Sequence, residues 1–437
     1  EKEIGALTCP DTIIAPILAY AKEKGLVEEG EEEFFSSDIL DVLSPRPSSV
    51  IKAFNETLAT DPEKAFDDLF DLGVKNDYVK ASAIAKNKEW TTTKTRVPIE
   101  ITINLSKPEK SNKSVALAKT AKTGYPKCML CKENVGYEGQ GRTRKNMRVV
   151  PLTLAGEDWF WQFSPYAYFY QHGIAINQKH VPMAITEKTF TKLLDFVDYA
   201  PEYFIGSNAC LPIVGGSILA HEHFQGGRHD FPMFKANKGE EYQTPVDGVK
   251  AYVPDWYNSV ILLKGKNKED VASLANAIYE KWVKYSDESV GIIAKTDANH
   301  NTLAPIARKV DGEYEMYLQL RNNRCDEENP DGIFHAHKEH HNIKSESIGL
   351  IEAMGRFILP GRLDRQLKEL EKFLTGENKE VSEDMAIHAT AVKTLTEKYG
   401  TNRSASDAHE LIVRYVEDTC ENILDNGMHE KCENMKV

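Results

Sequence analysis

Hydrophobic positions in the first 75 residues follow the spacing of helices. The segment DTIIAPILAYAKEKGLVEEG carries an apolar stripe through Ile13, Ile14 and Ile17, and Asp11 precedes it as a candidate N-cap. Two shorter segments, SSDILDVLS and DPEKAFDDLFDLG, show the same period with acidic first turns. No histidine occurs before residue 172, so this region shows no cluster of reactive side chains. We predict a structural, helical N-terminal region over residues 1–75.

From about residue 76 the period changes to that of strands. PIEITINLS alternates apolar and polar residues, as half-buried strands do. NMRVVPLTL, WFWQFSP, YAYFYQHGIAIN and PEYFIGSNAC are β-branched and aromatic runs separated by turn residues. Between them, TEKTFTKLLDFVDYA predicts one amphipathic helix that opens at Thr186.

A similar order of elements follows in the second half of the chain. AYVPDWYNSVILLKG predicts strands, KEDVASLANAIYEKWVKY a helix, and VGIIAK and YEMYLQLRNNR further strands, while the tail from about residue 364 is helical. This echo of the first half indicates an internal duplication. We predict an α+β protein with an N-terminal helical region (1–75) and two halves (76–235 and 236–437), the second ending in the helical tail.

Length and charge narrow the class of protein. A chain of 437 residues exceeds what one hydrophobic core supports. A net charge of −13 argues against bulk nucleic-acid binding and against attraction to anionic membranes. No apolar run reaches the length of a membrane span, and the N-terminus lacks the basic and apolar regions of a signal peptide. Seven cysteines spread over so long a chain indicate a reducing compartment, so we expect a cytoplasmic protein that binds neither membranes nor nucleic acids.

The segment ILAHEHFQGG carries the most distinctive pattern. In an extended chain His221, His223 and Gln225 point to the same face, which indicates either a polar edge strand or a binding site. The two glycines that follow indicate a close approach of the backbone to another group. A neutral imidazole such as that of His223 is a competent nucleophile toward phosphorus, and Gln225 can donate a hydrogen bond to a phosphate oxygen.

The preceding segment PIVGGSI offers backbone N–H groups and a hydroxyl. Gly215, Gly216 and Ser217 are suited to holding a phosphate, although two glycines alone also fit a tight turn.

A C-x-x-C pair, Cys128 and Cys131, lies in a loop. Thioredoxin-type chemistry requires such a pair to open a helix, and KENVGYEGQG does not begin one. A zinc site requires two further ligands, for which His180 and His221 are candidates and His172 is the rival to His180. Two loop cysteines without a metal remain the alternative.

A second group of histidines lies in GIFHAHKEHHNIKSESIGLIE. His335 and His337 alternate as His221 and His223 do, so that either another metal site or a polar turn fits the pattern. Glu352 is one of the carboxylates nearby.

Three stretches together resemble one family: KCMLC, PEYFIGSNACLPIVGGSILAHEHFQGG and DGIFHAHKEHHNIKSESIGLIEAMGRFILPGRL. They are similar to the UDP-glucose–hexose-1-phosphate uridylyltransferases of the second, mainly bacterial type, within the histidine-triad superfamily. The resemblance runs from about residue 76 to the C-terminus. It implies two histidine-triad-like halves with antiparallel sheets and flanking helices, and an exchange in which UDP-glucose uridylylates a histidine and galactose-1-phosphate collects the uridylyl group. We also expect a homodimer.

The resemblance implies a role for individual residues. His223 becomes the nucleophile, and Gln225 steadies the α-phosphate. A zinc site is implied for Cys128, Cys131, His180 and His221, and contacts with the substrate are implied for Ser217 and Glu352. With these two we group Gly216 and Asn208 as predicted substrate-binding residues. One departure stands out, because the first type of the family usually has Pro where this chain has Glu222.

Two other functions use the same residues. In a related nucleotidyl phosphorylase or hydrolase, phosphate or water accepts the nucleotidyl group from His223. In a zinc-stabilised nucleotide-binding protein without turnover, His223 has no chemical role. The first alternative differs from a uridylyltransferase in the acceptor of the nucleotidyl group. The second predicts that a His223→Ala protein keeps every measurable property, including any affinity for nucleotides.

Overall fold

The computed structural model describes residues 9–106, 124–139, 142–216 and 218–426. The N-terminal region is helical, as predicted. Its helices are α1 (Asp11–Glu23), α2 (Glu32–Leu43), α3 (Pro47–Leu58), α4 (Pro62–Lys75) and the short α5 (Ala81–Ile84).

Most of the strands join one twisted sheet. Its ten strands are β5 (Val150–Leu154), β6 (Glu157–Phe163), β7 (Gly173–Asn177), β8 (Phe204–Gly206), β9 (His223–Gly227), β10 (Glu241–Gln243), β11 (Val249–Tyr252), β12 (Val260–Gly265), β13 (Asn301–Val310) and β14 (Glu313–Asn322). They run in the order β10-β11-β12-β14-β13-β8-β9-β7-β6-β5, and every pairing is antiparallel. The predicted α+β fold with antiparallel strands and flanking helices is confirmed.

The sheet consists of two halves with the same topology. In the first half, β5, β6 and β7 are followed by helix α6 (Glu187–Tyr199), then by β8 and β9, and β9 inserts between β7 and β8. In the second half, β10, β11 and β12 are followed by helix α8 (Lys268–Trp282), then by β13 and β14, and β14 inserts between β12 and β13. The halves meet where β8 pairs with β13, and α6 packs against α8. This order supports the internal duplication read from the sequence.

The remaining elements surround the large sheet. They are β1 (Lys88–Thr91), β2 (Glu100–Asn104), β3 (Glu138–Gly139), β4 (Arg142–Thr143), α7 (Pro232–Lys235), α9 (Leu350–Ala353), β15 (Arg356–Pro360), α10 (Leu363–Thr375), α11 (Ala389–Tyr399) and α12 (Ala405–Asn426). A three-stranded sheet places β2 between β1 and β15, with β2 and β15 parallel. The helices α10, α11 and α12 form a second apolar cluster of their own.

The N-terminal helices pack onto the sheet near residues of the candidate site. Phe66 of α4 contacts Trp161 of β6 with ring centroids 6.0 Å apart, and both rings are fully buried. Asp67, the next residue of α4, accepts a hydrogen bond from Gln171 at 2.6 Å. Because Gln171 directly precedes His172, the helical region supports the loop that leads into β7.

Two predicted features differ from the structure. VGIIAK is not a strand: the Asp287 carboxylate accepts from the backbone of Ser289, and Gly291 is left-handed with φ of 72°, so the chain turns there. β13 was not predicted, because its sequence NTLAPIARKV lacks a clear period and its partners are distant in sequence. The boundaries at residues 75 and 235 stay predictions. Within the described ranges, none of the helices is both long enough and apolar enough to cross a membrane.

Candidate active site and metal site

Four side chains that are far apart in sequence meet beside the start of β9. Donor atoms of Cys128, Cys131, His180 and His221 all lie within 4.8 Å of one another. The two Sγ atoms are 3.6 Å apart, the Nδ1 atom of His221 lies 3.2 Å from Sγ of Cys128, and that of His180 lies 3.1 Å from Sγ of Cys131. The edges of a tetrahedron of sulfur and nitrogen around zinc measure about 3.3–3.8 Å. The cluster is therefore one that could bind a metal ion.

Hydrogen bonds orient the donor atoms of this cluster. His221 donates a hydrogen bond from Nε2 to the carbonyl of Asn177 at 2.8 Å, which leaves the lone pair of Nδ1 available to a cation. The amide of Asn134 donates to the carbonyls of Cys128 and Cys131 at 2.8 and 2.7 Å, and thereby closes the loop that carries both thiols. A histidine with one nitrogen held by a carbonyl and the other facing thiols is the usual arrangement of a metal ligand.

The two thiols are electrostatically unequal without a cation. Burial and the nearby Cys128 sulfur raise the pKa of Cys131 to about 11. Burial also acts to raise the pKa of Cys128, but hydrogen bonds to His221, to the backbone of Leu130 and to Cys131 together outweigh it and lower the pKa of that thiol. A pair of sulfurs in this position carries two negative charges only if a cation lies between them, which is what a thiolate-binding metal supplies.

His223 opens strand β9, and its ring is held by the backbone. Its Nδ1 donates to the carbonyl of His221 at 2.7 Å, so Nε2 is the nitrogen left with a lone pair. Burial lowers the pKa of His223 below its ordinary value, and the ring is neutral near pH 7.

The strand predicted to include His221 begins only at His223. Residues before it still pair with the 177–183 segment, since Glu222 donates to the carbonyl of Val181 at 2.7 Å.

Gln225 and His172 contact each other across neighbouring strands. The Nε2 atom of His172 lies 3.1 Å from Oε1 of Gln225. His172 lies outside the cysteine–histidine cluster, so it is His180 that the structure brings to the thiols. His172 is fully buried, and burial lowers its pKa to about 4.

The two glycines after Gln225 meet protein backbone. A Cβ on Gly226 would lie 2.5 Å from the carbonyl oxygen of Phe204, and one on Gly227 would lie 2.6 Å from that of Gln171. Gly227 also has φ of 152°, which disfavours other residues. The close approach expected from the sequence exists, and its partners are β8 and the loop before His172.

Three of the predicted substrate-binding residues lie together. Asn208 accepts a hydrogen bond from the backbone of Leu350 at 3.1 Å, and its amide nitrogen lies 3.0 Å from where a Cβ of Gly216 would be. A Cβ on Gly349 would contact both Asn208 and Glu352, at 3.5 and 3.4 Å. Ser217, the fourth, lies outside the described residues.

A buried lysine beside Glu352 was missed from the sequence. Lys344 donates to the carboxylate of Glu352 at 3.0 Å, to Glu346 at 2.8 Å and to the carbonyl of Ile358 at 3.1 Å. Tyr168 lies close enough that the carboxylate of Glu352 adds to burial in raising the pKa of its phenol. A single Lys in KSESIG has no spacing signal, and only the fold brings it to this place.

The second histidine group does not gather into a metal site. Nδ1 of His335 and Nε2 of His341 both contact the carbonyl of Ala336 at 3.0 Å, and His337 lies 3.7 Å from Glu339. Among the described residues, the cysteine–histidine cluster is the one group of donors arranged for a metal. Of the two readings of this segment, the polar turn fits the structure.

The fold and these side chains define a class: an internally duplicated α+β protein with a histidine on a central strand beside a Cys₂His₂ cluster. Comparison with known sequences narrows the class further. Residues 7–182 match the N-terminal domain of galactose-1-phosphate uridyl transferase, and residues 187–393 match its C-terminal domain. The chain belongs to the galactose-1-phosphate uridyl transferase family.

Individual relatives cover most of the chain. The galactose-1-phosphate uridylyltransferase of Caldanaerobacter subterraneus is 43% identical over 98% of this chain and 87% of its own length. The galactose-1-phosphate uridylyltransferase of Bacillus subtilis is 47% identical, and the match covers 82% of this chain and 72% of that relative's length. Among solved structures, yeast Ap4A phosphorylase Apa2 gives a TM-score of 0.40 at 12% identity, over 80% of this chain and 98% of its own.

Proposed function

We propose that this chain transfers a uridylyl group from UDP-glucose to galactose-1-phosphate through a covalent intermediate on His223. Family membership supports the reaction, and the observation that carries the mechanism is the hydrogen bond from Nδ1 of His223 to the carbonyl of His221 at 2.7 Å. It fixes the tautomer in which Nε2 can attack, and the neutral ring needs no prior loss of a proton.

The reaction consists of two displacements at the same phosphorus. The lone pair of Nε2 attacks the α-phosphorus of UDP-glucose, the N–P bond forms, and glucose-1-phosphate leaves with the electron pair of the broken P–O bond. The ring is then positively charged, and this charge strengthens the hydrogen bond from its Nδ1 to the carbonyl of His221. A phosphate oxygen of galactose-1-phosphate next attacks the phosphorus, the N–P bond breaks, and UDP-galactose leaves.

Gln225 is the proposed phosphate-binding residue, because it lies two positions from His223 on the same strand face. Its amide N–H groups would stabilise the negative charge on the α-phosphate oxygens. Asn208, Gly216 and Glu352 are the proposed residues for the sugar phosphate, supported by the proximity of Asn208 to Gly216 and of Asn208 and Glu352 to Gly349. Ser217 remains part of this proposal from the sequence alone.

Zinc is the proposed metal of the cysteine–histidine cluster. Two thiolates and two imidazoles suit zinc, and four protein ligands leave no coordination position for a substrate. Bound there, the ion would be structural and would hold the loop of Cys128 against the segment that leads into His223. Elemental analysis of the purified protein tests this: about one zinc per chain is expected, and none in Cys128→Ser/Cys131→Ser.

The decisive experiment for the function is intact-mass spectrometry. Incubation with UDP-glucose should add the mass of one uridylyl group, and galactose-1-phosphate should remove it and yield UDP-galactose. His223→Gln keeps the size of the side chain and should show no adduct. A protein discharged by inorganic phosphate or water, and not by the sugar phosphate, would be a phosphorylase or hydrolase. No adduct on the folded wild-type protein would contradict the mechanism.

The compartment and assembly belong to the same proposal. Among the described cysteines, Cys128, Cys131, Cys210, Cys325 and Cys420 form no disulfide, which agrees with the reducing cytoplasm that we propose. A homodimer is proposed as well, and light scattering coupled to size-exclusion chromatography tests it.

A further inference from the structure

The side-chain amide of Gln225 carries an oxygen and an NH₂ group, which are nearly equal in shape, but the oxygen accepts hydrogen bonds and the NH₂ group donates them. Only its NH₂ end stabilises a phosphate, whereas its carbonyl oxygen would repel one. A phosphate-binding glutamine therefore has to be held in one of its two amide orientations. We propose that His172 is a positioning residue that holds the Gln225 amide with its nitrogen toward the reacting phosphate. This inference rests on the proposed function.

The protonation state of His172 is set by the backbone around it. The N–H of Tyr168 points to Nδ1 of His172 at 3.3 Å, so Nδ1 is the acceptor nitrogen. The proton of the neutral ring is then on Nε2, which lies 3.1 Å from Oε1 of Gln225. His172 thus donates to Gln225, the amide oxygen is occupied, and the NH₂ group is directed away from His172.

The ring of His172 is also fixed in place. It stacks on Tyr168 with centroids 5.3 Å apart and packs against Phe169 at 4.5 Å. The backbone N–H of Ser164 bonds to the carbonyl of His172 at 2.8 Å, and that of His172 to the carbonyl of Phe169 at 3.2 Å. Burial lowers the pKa of His172 to about 4, so the ring stays neutral at pH 7 and Nδ1 remains an acceptor.

Tyr168, on which the ring of His172 stacks, is hydrogen-bonded to the small three-stranded sheet. The carbonyl of Tyr168 accepts from Nε of Arg356 on β15 at 2.7 Å, and Arg356 in turn bonds to Glu100 on β2 at 2.7 Å. The ring of His172 therefore stacks on a residue that is tied to the small sheet through Arg356. Nothing in this arrangement requires that His172 touch the substrate itself.

A matched pair elsewhere in the chain provides the control. His388, before α11, is buried, and its Nε2 lies 3.1 Å from Oε1 of Gln366. Burial lowers its pKa to about 4 as well. His388→Phe thus removes a buried histidine–glutamine bond of the same length in the C-terminal helices, and its effect measures the general cost of such a loss.

The experiment is a double-mutant cycle on the steady-state exchange between UDP-glucose and galactose-1-phosphate. His172→Phe keeps a ring for Tyr168 and Phe169 to pack against and should lower kcat about tenfold, with KM within twofold. In a Gln225→Ala background the same change should cost less than twofold, because no amide is left to orient. His172→Gln can still donate and should stay within threefold of the wild type. His388→Phe should leave kcat unchanged.

An equal loss of kcat in both backgrounds, or wild-type kcat in His172→Phe, overturns the inference. A loss confined to KM overturns it too, since orientation acts on the transition state. If His172→Phe does not fold, His172→Asn, whose amide is too short to reach Gln225, takes its place in the cycle. A folded wild-type protein that forms no adduct instead contradicts the proposed function, and the inference falls with it.

Discussion

Glu222, which separates the two histidines of the site, gives the sharpest prediction about stability. Its carboxylate accepts from Lys192 of α6 at 2.8 Å and from the amide of Asn177 at 2.7 Å. The exposed fractions of the Lys192 and Glu222 side chains are only 5% and 9%. Lys192 has a second partner, Glu157, at 2.9 Å, whose side chain is 31% exposed. Glu222→Gln removes one charge from this buried group and keeps its shape.

The expected cost follows from the charges. Two unit charges 2.8 Å apart attract by about 6 kcal/mol at an effective dielectric constant of about 20. Much of that attraction is offset, because glutamine is cheaper to bury than glutamate. Removing one partner of a buried pair costs about 3–5 kcal/mol, and Glu157 still neutralises part of the lysine charge. We therefore expect about 2–3 kcal/mol, or a fall in melting temperature of about 2–3 °C for a chain of 437 residues.

Calorimetry of matched variants measures this cost. Glu241→Gln, at a pair with Lys250 whose side chains are 36% and 56% exposed, is the control and should lower the melting temperature by less than about 1 °C. Lys192→Met combined with Glu222→Leu should recover most of the stability, because neither charge is then left without its partner. Equal shifts for Glu222→Gln and Glu241→Gln would refute the reasoning from burial.

Three further outcomes are expected. Gln225→Ala should lower kcat by about 10²–10³, the usual loss for a donor to developing negative charge, and a change in KM alone would contradict its role. Gly226→Ala should destabilise the fold by about 2–4 kcal/mol in denaturant titrations, because the new methyl group would lie 2.5 Å from the carbonyl oxygen of Phe204. The pKa of His172 is about 4 in the folded state and about 6.5 in the unfolded chain, which binds the proton first as the pH falls. His172 should therefore remove about 2 kcal/mol of stability between pH 7 and pH 5, and His172→Phe should show a correspondingly flatter dependence of its denaturation midpoint on pH.

Local patterns in the sequence predicted those elements whose stability is mostly local. Helix α6 begins after Thr186, where Thr186 and Thr189 form a capping box, and its amphipathic period is visible without any partner. β13 escaped prediction because Pro305 and charged residues break its pattern, and its place between β8 and β14 depends on segments that are distant along the chain.

In the candidate site, too, the residues with a local sequence signal were predicted and the contacts between distant segments were not. Spacing and donor chemistry proposed all four members of the cysteine–histidine cluster, because thiols and imidazoles are rare enough to be noticed in any segment. The hydrogen bond between His172 and Gln225 joins residues 53 positions apart, and Lys344 reaches Glu352 only through the turn before α9. Neither contact has a local signature, and each depends on how the strands and loops are packed.

The cysteine–histidine cluster and the proposed nucleophile are joined by two consecutive hydrogen bonds. The carbonyl of Asn177 holds the ring of His221, and the carbonyl of His221 holds the ring of His223. If a cation fixes His221, it also fixes the carbonyl that selects the reactive tautomer of His223. His223 is not one of the four members of the cluster, so a bound ion would affect the proposed chemistry only through this orientation.

Removal of the metal should therefore slow uridylylation without abolishing it. Loss of one oriented neutral hydrogen bond is worth about 1 kcal/mol, which corresponds to about a fivefold lower rate of adduct formation. Protein treated with a strong chelator should show this reduced rate by mass spectrometry at a temperature where circular dichroism still reports the native fold, and added zinc should restore it. Complete loss of the adduct in folded, metal-free protein would mean that the ion acts on the phosphate itself. An unchanged rate would mean that the backbone alone holds the His221 carbonyl, since the interlocking bonds of Glu222 with Val181 and Asn177 would then suffice.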